Sequence, residues 1–311
     1  KSNINLNIPF FSKRINNSIK SFIYMLFKLN PKKFDKILSF QDHPFAIIAS
    51  ILKNKKSIIR IANHPIGSLK YFNNKINFFL KLFIKIFFYQ FANLIISNSQ
   101  ESTNFLKKYI IFKKKCITIY NPINLIKKKN KILKKQKILI SIGRLDKQKN
   151  FAMLIKAFKI LLINFPSYKL IIIGKGRERK NLINIFKKNN LTTNIKILNF
   201  RDPQKYYQKA KLFILSSYFE GLPNVLLEAM NNKLPIVSSN CLSGPREILR
   251  DGKYGYLFEV DNIDDCVKKI KSALNNYNLS IKKAHKGFKS LNNISSEKQC
   301  KNYLKSLDAL H

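Results

Sequence analysis

Short runs rich in Ile, Leu, Val and Phe alternate with longer stretches of helical periodicity along most of the chain. Runs with the length and composition of buried strands include KSIIRIAN (56–63), KILISIG (137–143), YKLIIIG (168–174) and KLFILSS (211–217). Between two of them, residues 150–166 carry apolar side chains at helical spacing. Such strand–helix alternation predicts an α/β fold with parallel sheets covered by helices.

The alternation is interrupted once, near the middle of the chain. The first series ends at Asn121-Pro122, and the lysine-rich stretch IKKKNKILKKQ (126–136) precedes the second series. We interpret that stretch as an exposed linker, because runs of like charge are usually solvated. We predict two Rossmann-like domains that face each other across a cleft, one over residues 1–124 and the other over 137–285. Residues 125–136 form the linker between them. Residues 286–311 form a C-terminal helix that packs back toward the first domain.

The 311-residue chain is strongly basic, with 59 Lys and Arg against 16 Asp and Glu. Its net charge of +43 attracts anions such as nucleic acid, anionic lipid or sugar nucleotides. Part of this charge is what an AT-rich genome imposes on composition. Because the lysines are spread over many elements and no nucleic-acid recognition motif occurs, nucleic acid is not an expected partner.

Residues 76–96, INFFLKLFIKIFFYQFANLII, have the length of a membrane span. Lys81 and Lys85 near the middle would be costly inside a bilayer, so a true span is disfavoured. Two interpretations remain open. The segment is either a helix that lays a Phe-rich face on a membrane surface, or a core-facing helix whose lysines reach water.

Two loops that follow predicted strands have features of a phosphate site. In SIGRLDKQKN (141–150), Gly143 permits a tight turn, and Arg144 and Lys149 place two cations beside a helix N-terminus. The alternative is an ordinary loop with surface cations. In IIIGKGRERKNL (171–182), Gly174 begins a G-x-G that is neither a full dinucleotide fingerprint nor a P-loop. These glycines allow close approach to a ligand or to a neighbouring strand.

Two further loops place carboxylates near the same cleft edge. EGLPNVLLEAM (220–230) puts Glu220 on a loop and Glu228 in the helix that follows Pro223. Carboxylates accept hydrogen bonds from vicinal hydroxyls, so the pair suits a ribose and a sugar. The alternative is a helix-start glutamate plus a surface glutamate. In SNCLSGPREIL (239–249), Glu247 is interpreted as a possible helix cap. No metal-binding spacing of His, Cys or Asp occurs, so no metal is expected.

Taken together, GRLDKQKN, IIGKGRERKNL, the stretch from RDPQKYY to NVLLEAM, and PIVSSNCLSGPREIL resemble the C-terminal half of the family 4 retaining glycosyltransferases, which have the GT-B fold. Glu220 and Glu228 match the E-x7-E pattern of that family. The resemblance covers about residues 90–270 well and 34–90 loosely. The last two motifs look most like the branch that adds hexose or N-acetylhexosamine to lipid-linked oligosaccharide or lipopolysaccharide precursors.

The resemblance implies a role for each matching residue. Arg144 and Lys149 would hold the donor diphosphate and stabilise the leaving group, and Glu228 would hold the ribose. His64 is the candidate for the catalytic histidine of the first domain, with Asn63 as the alternative. The other implied donor contacts are Gly143, Gly174, Asn199, Arg201, Glu220, Gly221, Leu222, Pro223 and Asn224.

The implied activity is retaining transfer of a hexose or N-acetylhexosamine from a nucleotide sugar, preferably a UDP-sugar, without metal or cofactor. The implied acceptor is a membrane-associated glycan or lipid-linked saccharide in cell-surface polysaccharide biosynthesis. The expected location is cytoplasmic and peripheral on the inner membrane face, through residues 75–91. The family opens with a strand and a glycine-rich loop that have no counterpart here, so an incomplete N-terminal domain is expected. A non-catalytic remnant and a basic nucleic-acid-binding protein are the alternatives.

Overall fold

The computed structural model describes residues 14–40, 44–67, 75–126, 135–199 and 202–310, and within them it contains two parallel sheets. The first sheet has its strands in chain order: β1 (Lys36–Ser39), β2 (Lys56–Ile61), β3 (Leu94–Ser97) and β4 (Cys116–Thr118). The helices of this half are α1 (Arg14–Phe27), α2 (Pro44–Leu52), α3 (Lys75–Tyr89) and α4 (Gln100–Tyr109).

The second sheet has the order β10-β9-β8-β5-β6-β7. Its strands are β5 (Ile138–Ile142), β6 (Lys169–Ile173), β7 (Ile195–Leu198), β8 (Leu212–Leu215), β9 (Ile236–Ser239) and β10 (Tyr256–Phe258). The helices of this half are α5 (Phe151–Leu161), α6 (Arg179–Lys188), α7 (Gln204–Lys209), α8 (Asn224–Asn231), α9 (Pro245–Ile248), α10 (Ile263–Asn275), α11 (Tyr277–Ser290) and α12 (Ser296–Asp308).

The strand order of the second sheet reverses between β5 and β8. From β5 the chain proceeds outward to β6 and β7, whereas from β8 it proceeds the other way to β9 and β10. The loops that follow β5 and β8 therefore leave the sheet side by side, at the point where open α/β sheets bind ligands.

Each sheet is buried on both faces by apolar side chains. In the second sheet, one core contains Phe158, Leu170 and Ile270, and the opposite core contains Phe213, Leu226 and Met230. In the first sheet, α2, α3 and α4 cover one face through Ile47, Tyr89 and Leu106. The other face receives α12, whose Tyr303 and Leu307 lie against Ile58 and Ile96. The prediction of an α/β fold with two Rossmann-like domains is confirmed.

Two elements were not predicted from the sequence. Helix α1 precedes the first strand, and β10 occupies a segment for which a turn was expected. β10 has only three residues and pairs with β9, Tyr256 opposite Val237. A run this short carries no readable periodicity, so its strand conformation depends on the edge of β9. Most of the predicted linker, 127–134, lies outside the described residues.

Helix α3 buries part of its surface against the first sheet and leaves several aromatic rings exposed. Tyr89 is buried against the first sheet, whereas the side chain of Phe83 is 69% exposed. Phe79 and Phe87, one turn before and after Phe83, are also exposed. In the described part of the chain, every helix falls short of the length and hydrophobicity that a bilayer crossing requires. One side of α3 therefore contributes to the core, and the other presents aromatic rings to the surroundings.

Candidate active site

The loop after β5 holds the two predicted cations in different surroundings. Arg144 is 69% exposed, donates to Gln148 Oε1 at 3.2 Å, and has Nη2 3.3 Å from an oxygen of Asp146. Lys149 ends a short 3-10 turn, and its side chain is only 12% exposed. Asn150 then adopts a left-handed conformation, with φ of 48°, before α5 begins. One cation is thus open to solvent and the other is largely enclosed.

Lys149 is enclosed because it forms an ion pair with Glu220. Its Nζ lies 2.5 Å from Glu220 Oε1, and the Glu220 side chain is 7% exposed. Ser217 Oγ donates to the same carboxylate oxygen at 2.6 Å. The interpretation of Glu220 as an ordinary surface or helix-start glutamate is therefore wrong. A buried carboxylate with a cation and a hydroxyl partner is held in one orientation.

Three hydrogen bonds join the loop after β5 to the loop after β8. Tyr218 N donates to Gln148 O at 2.9 Å, and Gln148 Nε2 donates to Phe219 O at 2.8 Å. Ser216 Oγ donates to Lys149 O at 2.7 Å. Because the two loops share these bonds, a displacement of one shifts the other.

The first domain contacts the Glu220–Asn224 loop directly. Asn63 forms an antiparallel bridge with Gly221, and His64 N donates to Glu220 O at 3.3 Å. A Cβ at Gly221 would lie 1.9 Å from Ala62 O, so only glycine permits this approach of the two domains. The loop that carries the predicted sugar contacts is therefore held between the two sheets.

Asn121 holds the other end of the same loop. Its Nδ2 donates to Leu222 O at 3.2 Å and to Asn224 Oδ1 at 2.6 Å. Pro223 lies between these two contacts and precedes α8. Asn121 Oδ1 in turn accepts from Arg60, whose Nε donates to Tyr303 OH at 2.6 Å on α12. A chain of polar contacts thus runs from the C-terminal helix to the loop.

Glu228 lies in α8 and binds a different partner from Glu220. Tyr207 OH donates to Glu228 Oε2 at 2.9 Å. Burial raises the pKa of Glu228, while the hydrogen bond from Tyr207 acts in the opposite direction. The same surroundings raise the pKa of Tyr207 well above its usual value, so the phenol remains a donor. A half-buried carboxylate with one oxygen already bound leaves the other for a ligand hydroxyl.

His64 is buried at the boundary of the two domains, and its ring centroid lies 5.0 Å from that of Phe105. Burial lowers its pKa to about 4, so the imidazole is neutral near pH 7. Ile66 N lies 3.4 Å from Nδ1, which is therefore the acceptor nitrogen. Asn63, the alternative candidate, is exposed and bridges to Gly221.

The remaining predicted donor contacts are Gly143, Gly174, Asn199 and Arg201. A Cβ at Gly174 would lie 1.9 Å from Gly143 O, so the glycine is explained by the neighbouring loop. Asn199 is exposed at the end of β7. Arg201 lies outside the described residues. Gly143 itself borders the Lys149 side chain, with a Cβ position 3.1 Å from Lys149 Cε.

A group that the sequence did not predict links the domains beside this site. From the sequence, Glu247 is interpreted as a helix cap. Its carboxylate does cap a helix, but that helix is α4 of the first domain. Gln100 N donates to both carboxylate oxygens, at 3.0 and 2.9 Å, and Tyr120 OH donates at 2.5 Å. In return, Glu101 accepts from Ser243 N at 2.9 Å. These partners are more than 100 positions apart, so no local pattern could reveal them.

Ser243 connects this interdomain contact to the Glu220–Asn224 loop. Its hydroxyl donates to Gly221 O at 2.9 Å and lies 2.5 Å from Ser99 Oγ. Ser243 is fully buried and has a left-handed φ of 64°. A non-glycine residue in that conformation is held there by its contacts. The first domain therefore restrains the loop both directly and through Ser243.

Comparison with known proteins defines the class. A solved structure of a mutant form of TarM from S. aureus, in complex with UDP, superposes with a TM-score of 0.79 at 22% identity, over 93% of this chain and 58% of that one. HepE from Anabaena, solved with UDP-glucose, gives a TM-score of 0.78 at 17% identity, over 96% of this chain and 85% of that one. At such identities the likeness establishes the fold, which is GT-B, with two facing Rossmann-like domains.

Sequence comparison gives the family. The family "Glycosyl transferases group 1" matches residues 122–289, more than half of the chain. The chain therefore belongs to the group 1 glycosyl transferases. A Campylobacter jejuni relative, N-acetylgalactosamine-N,N'-diacetylbacillosaminyl-diphospho-undecaprenol 4-alpha-N-acetylgalactosaminyltransferase, is 34% identical over 78% of this chain and 66% of its own length. The amylovoran biosynthesis glycosyltransferase AmsD of Erwinia amylovora is 30% identical over 55% of this chain. The chain spans 66% and 50% of these two relatives.

Proposed function

We propose that this protein is a retaining glycosyltransferase that moves a hexose or an N-acetylhexosamine from a UDP-sugar to a lipid-linked or other membrane-associated glycan acceptor. The observation that carries the proposal is the Lys149–Glu220 pair, held between two sheets and beside the exposed Arg144. A cation and a carboxylate fixed at this switch point match the diphosphate and the hydroxyls of one nucleotide sugar.

The chemistry assigns one task to each group. The bond between the anomeric carbon and the diphosphate oxygen breaks, and a bond from that carbon to an acceptor hydroxyl oxygen forms. The hydroxyl proton leaves with the nucleotide diphosphate. Arg144 and Lys149 stabilise the charge that develops on the diphosphate, which is the largest electrostatic demand of the reaction. Glu220 and the backbone of Gly221 to Asn224 hold the sugar.

Three further groups complete the proposed donor site. Glu228 holds the ribose hydroxyls, Asn199 contacts the base, and neutral His64 contacts the sugar from the first domain. Because Arg144 and Lys149 supply the positive charge, the reaction proceeds without a metal cofactor, and EDTA should leave the rate unchanged. The names of the relatives support a diphospho-lipid or polysaccharide acceptor, and the UDP-glucose in HepE supports a uridine donor.

The exposed side of α3 supports work at a membrane. Phe79, Phe83 and Phe87 present aromatic rings at one-turn spacing. Aromatic rings on such a helix enter the headgroup region, and the excess of lysines attracts anionic lipid. The protein accordingly acts as a peripheral enzyme on the cytoplasmic face of the membrane, in cell-surface polysaccharide biosynthesis.

Thermal stabilisation by a panel of UDP-, GDP- and ADP-sugars tests the donor proposal. A ligand that binds only the folded state raises the melting temperature. We expect a rise with UDP-sugars that Arg144→Ala and Glu228→Ala both abolish. Lys188→Ala, at the exposed end of α6, is the control and should retain it. Stabilisation that survives in Arg144→Ala and Glu228→Ala would overturn the assignment of the site.

A further inference from the structure

Asn121 belongs to the segment by which the chain passes from the first sheet to the second. Strand β4 of the first sheet ends at Thr118. Ile123, only five positions later, is buried in the same core of the second sheet as Leu291. A side chain between these two positions can therefore contact both domains.

The chain returns to the first domain beside this segment. Ile123 N donates to Ile294 O at 3.3 Å, and Ser296 N donates to Ile123 O at 3.0 Å. Gln299, which is 2% exposed, accepts from Tyr120 N at 3.1 Å. Hydrogen bonds therefore hold the two passages between the domains together.

The side-chain amide of Asn121 is bound to a different domain at each end. Its Oδ1 accepts from Arg60 Nη2, on β2 of the first sheet. Its Nδ2 donates to Leu222 O at 3.2 Å and to Asn224 Oδ1 at 2.6 Å, in the second domain. Because a guanidinium only donates and a backbone carbonyl only accepts, these partners admit one orientation of the amide.

Arg60 is itself fixed by partners in the first domain. Its Nε donates to Tyr303 OH at 2.6 Å, and Tyr303 lies on α12, which packs against the first sheet. The guanidinium also lies 5.9 Å from the centroid of the Phe40 ring. Since the guanidinium is a rigid planar fork, engaging Nε also fixes the direction in which Nη2 donates to Asn121.

The two acceptors of Asn121 Nδ2 flank Pro223, at the turn where the loop enters α8. Pro223 has no N–H, and it provides no side-chain cap for α8. The direction of the first N–H groups of α8 therefore depends on how the backbone on either side of the proline is held.

We infer that Arg60 and Asn121 are positioning residues for the donor sugar, an inference that rests on the proposed function. Arg60 sets the orientation of the Asn121 amide. Asn121 in turn fixes Leu222 and the start of α8, where the proposed function places the sugar. Neither Arg60 nor Asn121 needs to touch the donor. Because the two ends of the amide contact different domains, the position of the loop depends on how the domains are arranged.

Asn121→Asp separates the two ends of the amide. Aspartate is close to asparagine in shape and still accepts from Arg60, but it cannot donate to Leu222 O. Calorimetric titration with UDP, UDP-glucose and UDP-N-acetylglucosamine measures the effect. We expect the variant to raise the Kd of the UDP-sugar that the wild type binds most tightly at least tenfold. The Kd of UDP should change less than twofold, because the groups proposed for the diphosphate and the ribose keep their partners.

Ser296→Asp is the matched control for the added negative charge. Ser296 lies in the other passage and donates to Asn124 Oδ1 at 2.7 Å, outside the contacts of the loop. It is the first residue of α12, where a carboxylate is well tolerated. Both Kd values should change less than twofold. Any result in which Asn121→Asp changes UDP and the UDP-sugars alike would overturn the inference.

Hydrogen exchange without ligand tests the same link independently of the donor. Arg60→Met removes every donor of Arg60 and keeps a side chain of similar length. We expect the amides of residues 219–226 to exchange at least tenfold faster in Arg60→Met and in Asn121→Asp, and those of α10 to stay unchanged. Unchanged exchange at 219–226, or faster exchange along the whole chain, would contradict a positioning role.

The two measurements distinguish failure of this inference from failure of the proposed function. If the wild type binds neither UDP nor a UDP-sugar, the donor proposal fails, and the exchange rates still decide whether Arg60 and Asn121 hold the loop. If the wild type binds both and Asn121→Asp leaves the ratio of their Kd values unchanged, the donor site stands and the positioning role fails.

Discussion

Lys149 Nζ lies 2.5 Å from Glu220 Oε1, and both side chains are almost closed to solvent. Neither residue is near the other in sequence, and the contact exists because the loops after β5 and β8 leave the sheet side by side. The pair keeps a cation in a fixed position at the base of the cleft. In the proposed donor complex, this cation would be shared between Glu220 and the diphosphate.

Removing Lys149 should cost more stability than removing Arg144. Lys149→Ala leaves the Glu220 carboxylate buried without its cation, which costs about 3 kcal/mol. Arg144→Ala breaks an exposed ion pair with Asp146, worth less than about 1 kcal/mol. Urea denaturation at pH 7 measures both values. Equal losses would show that the Lys149–Glu220 pair does not act as a buried pair.

Gly221→Ala should separate the domains. The new Cβ would meet the backbone of Ala62 at 1.9 Å, and neither backbone can yield without opening the interdomain contact. We expect a loss of about 2 kcal/mol and a larger radius of gyration in X-ray scattering. In Gly143→Ala, the Cβ meets the flexible Lys149 side chain at 3.1 Å, so the radius should not change. An unchanged radius in Gly221→Ala would contradict the contact.

His64 should make stability depend on pH between about 6.5 and 4. Its folded pKa is about 4 and its ordinary value is 6.5, so the unfolded state binds more protons in this window. The free energy of unfolding therefore rises with pH across this window. Acidification through the window lowers it by up to about 3 kcal/mol. The difference between wild type and His64→Gln isolates this effect from carboxyl groups such as Glu228. Parallel pH profiles for the two proteins would show that His64 is not responsible.

Membrane binding should depend on the exposed rings of α3. In flotation with vesicles containing phosphatidylglycerol, the double variant Phe83→Ser, Phe87→Ser should lose at least tenfold in bound fraction at low salt. Ile163→Ser removes an even more exposed apolar side chain from the second domain and should not reduce flotation. Wild type that stays with the unbound fraction at low salt would refute membrane docking.

Glu247 should stabilise the interdomain contact through α4. Glu247→Ala removes the acceptor of Gln100 N, which costs about 1 kcal/mol by the usual scale of helix caps. Glu247→Gln keeps one carbonyl oxygen and should lose about half as much. Urea denaturation of wild type, Glu247→Ala and Glu247→Gln measures the loss of stability in each variant. If Glu247→Ala matches wild type, solvent satisfies the helix terminus as well as the carboxylate does.

The sequence by itself determined the layered architecture and the position of the loops that we propose to hold the donor. Apolar runs of strand length, helical periodicity and the break at Pro122 are properties of local residue spacing. They can therefore be identified in the sequence without any tertiary information. The E-x7-E pattern and the loop with Arg144 and Lys149 were likewise readable, because both lie on short continuous segments at strand ends.

Only the tertiary structure decided which side chains meet. The Lys149–Glu220 pair, the bridge of Asn63 to Gly221 and the cap of α4 by Glu247 each join residues separated by 71 positions or more. Such contacts follow from strand order and from how the two sheets face each other, and no local pattern records either. The sequence also could not decide that Phe83 is exposed whereas Tyr89 on the same helix is buried. Periodicity identifies the faces of a helix but not which face another element covers.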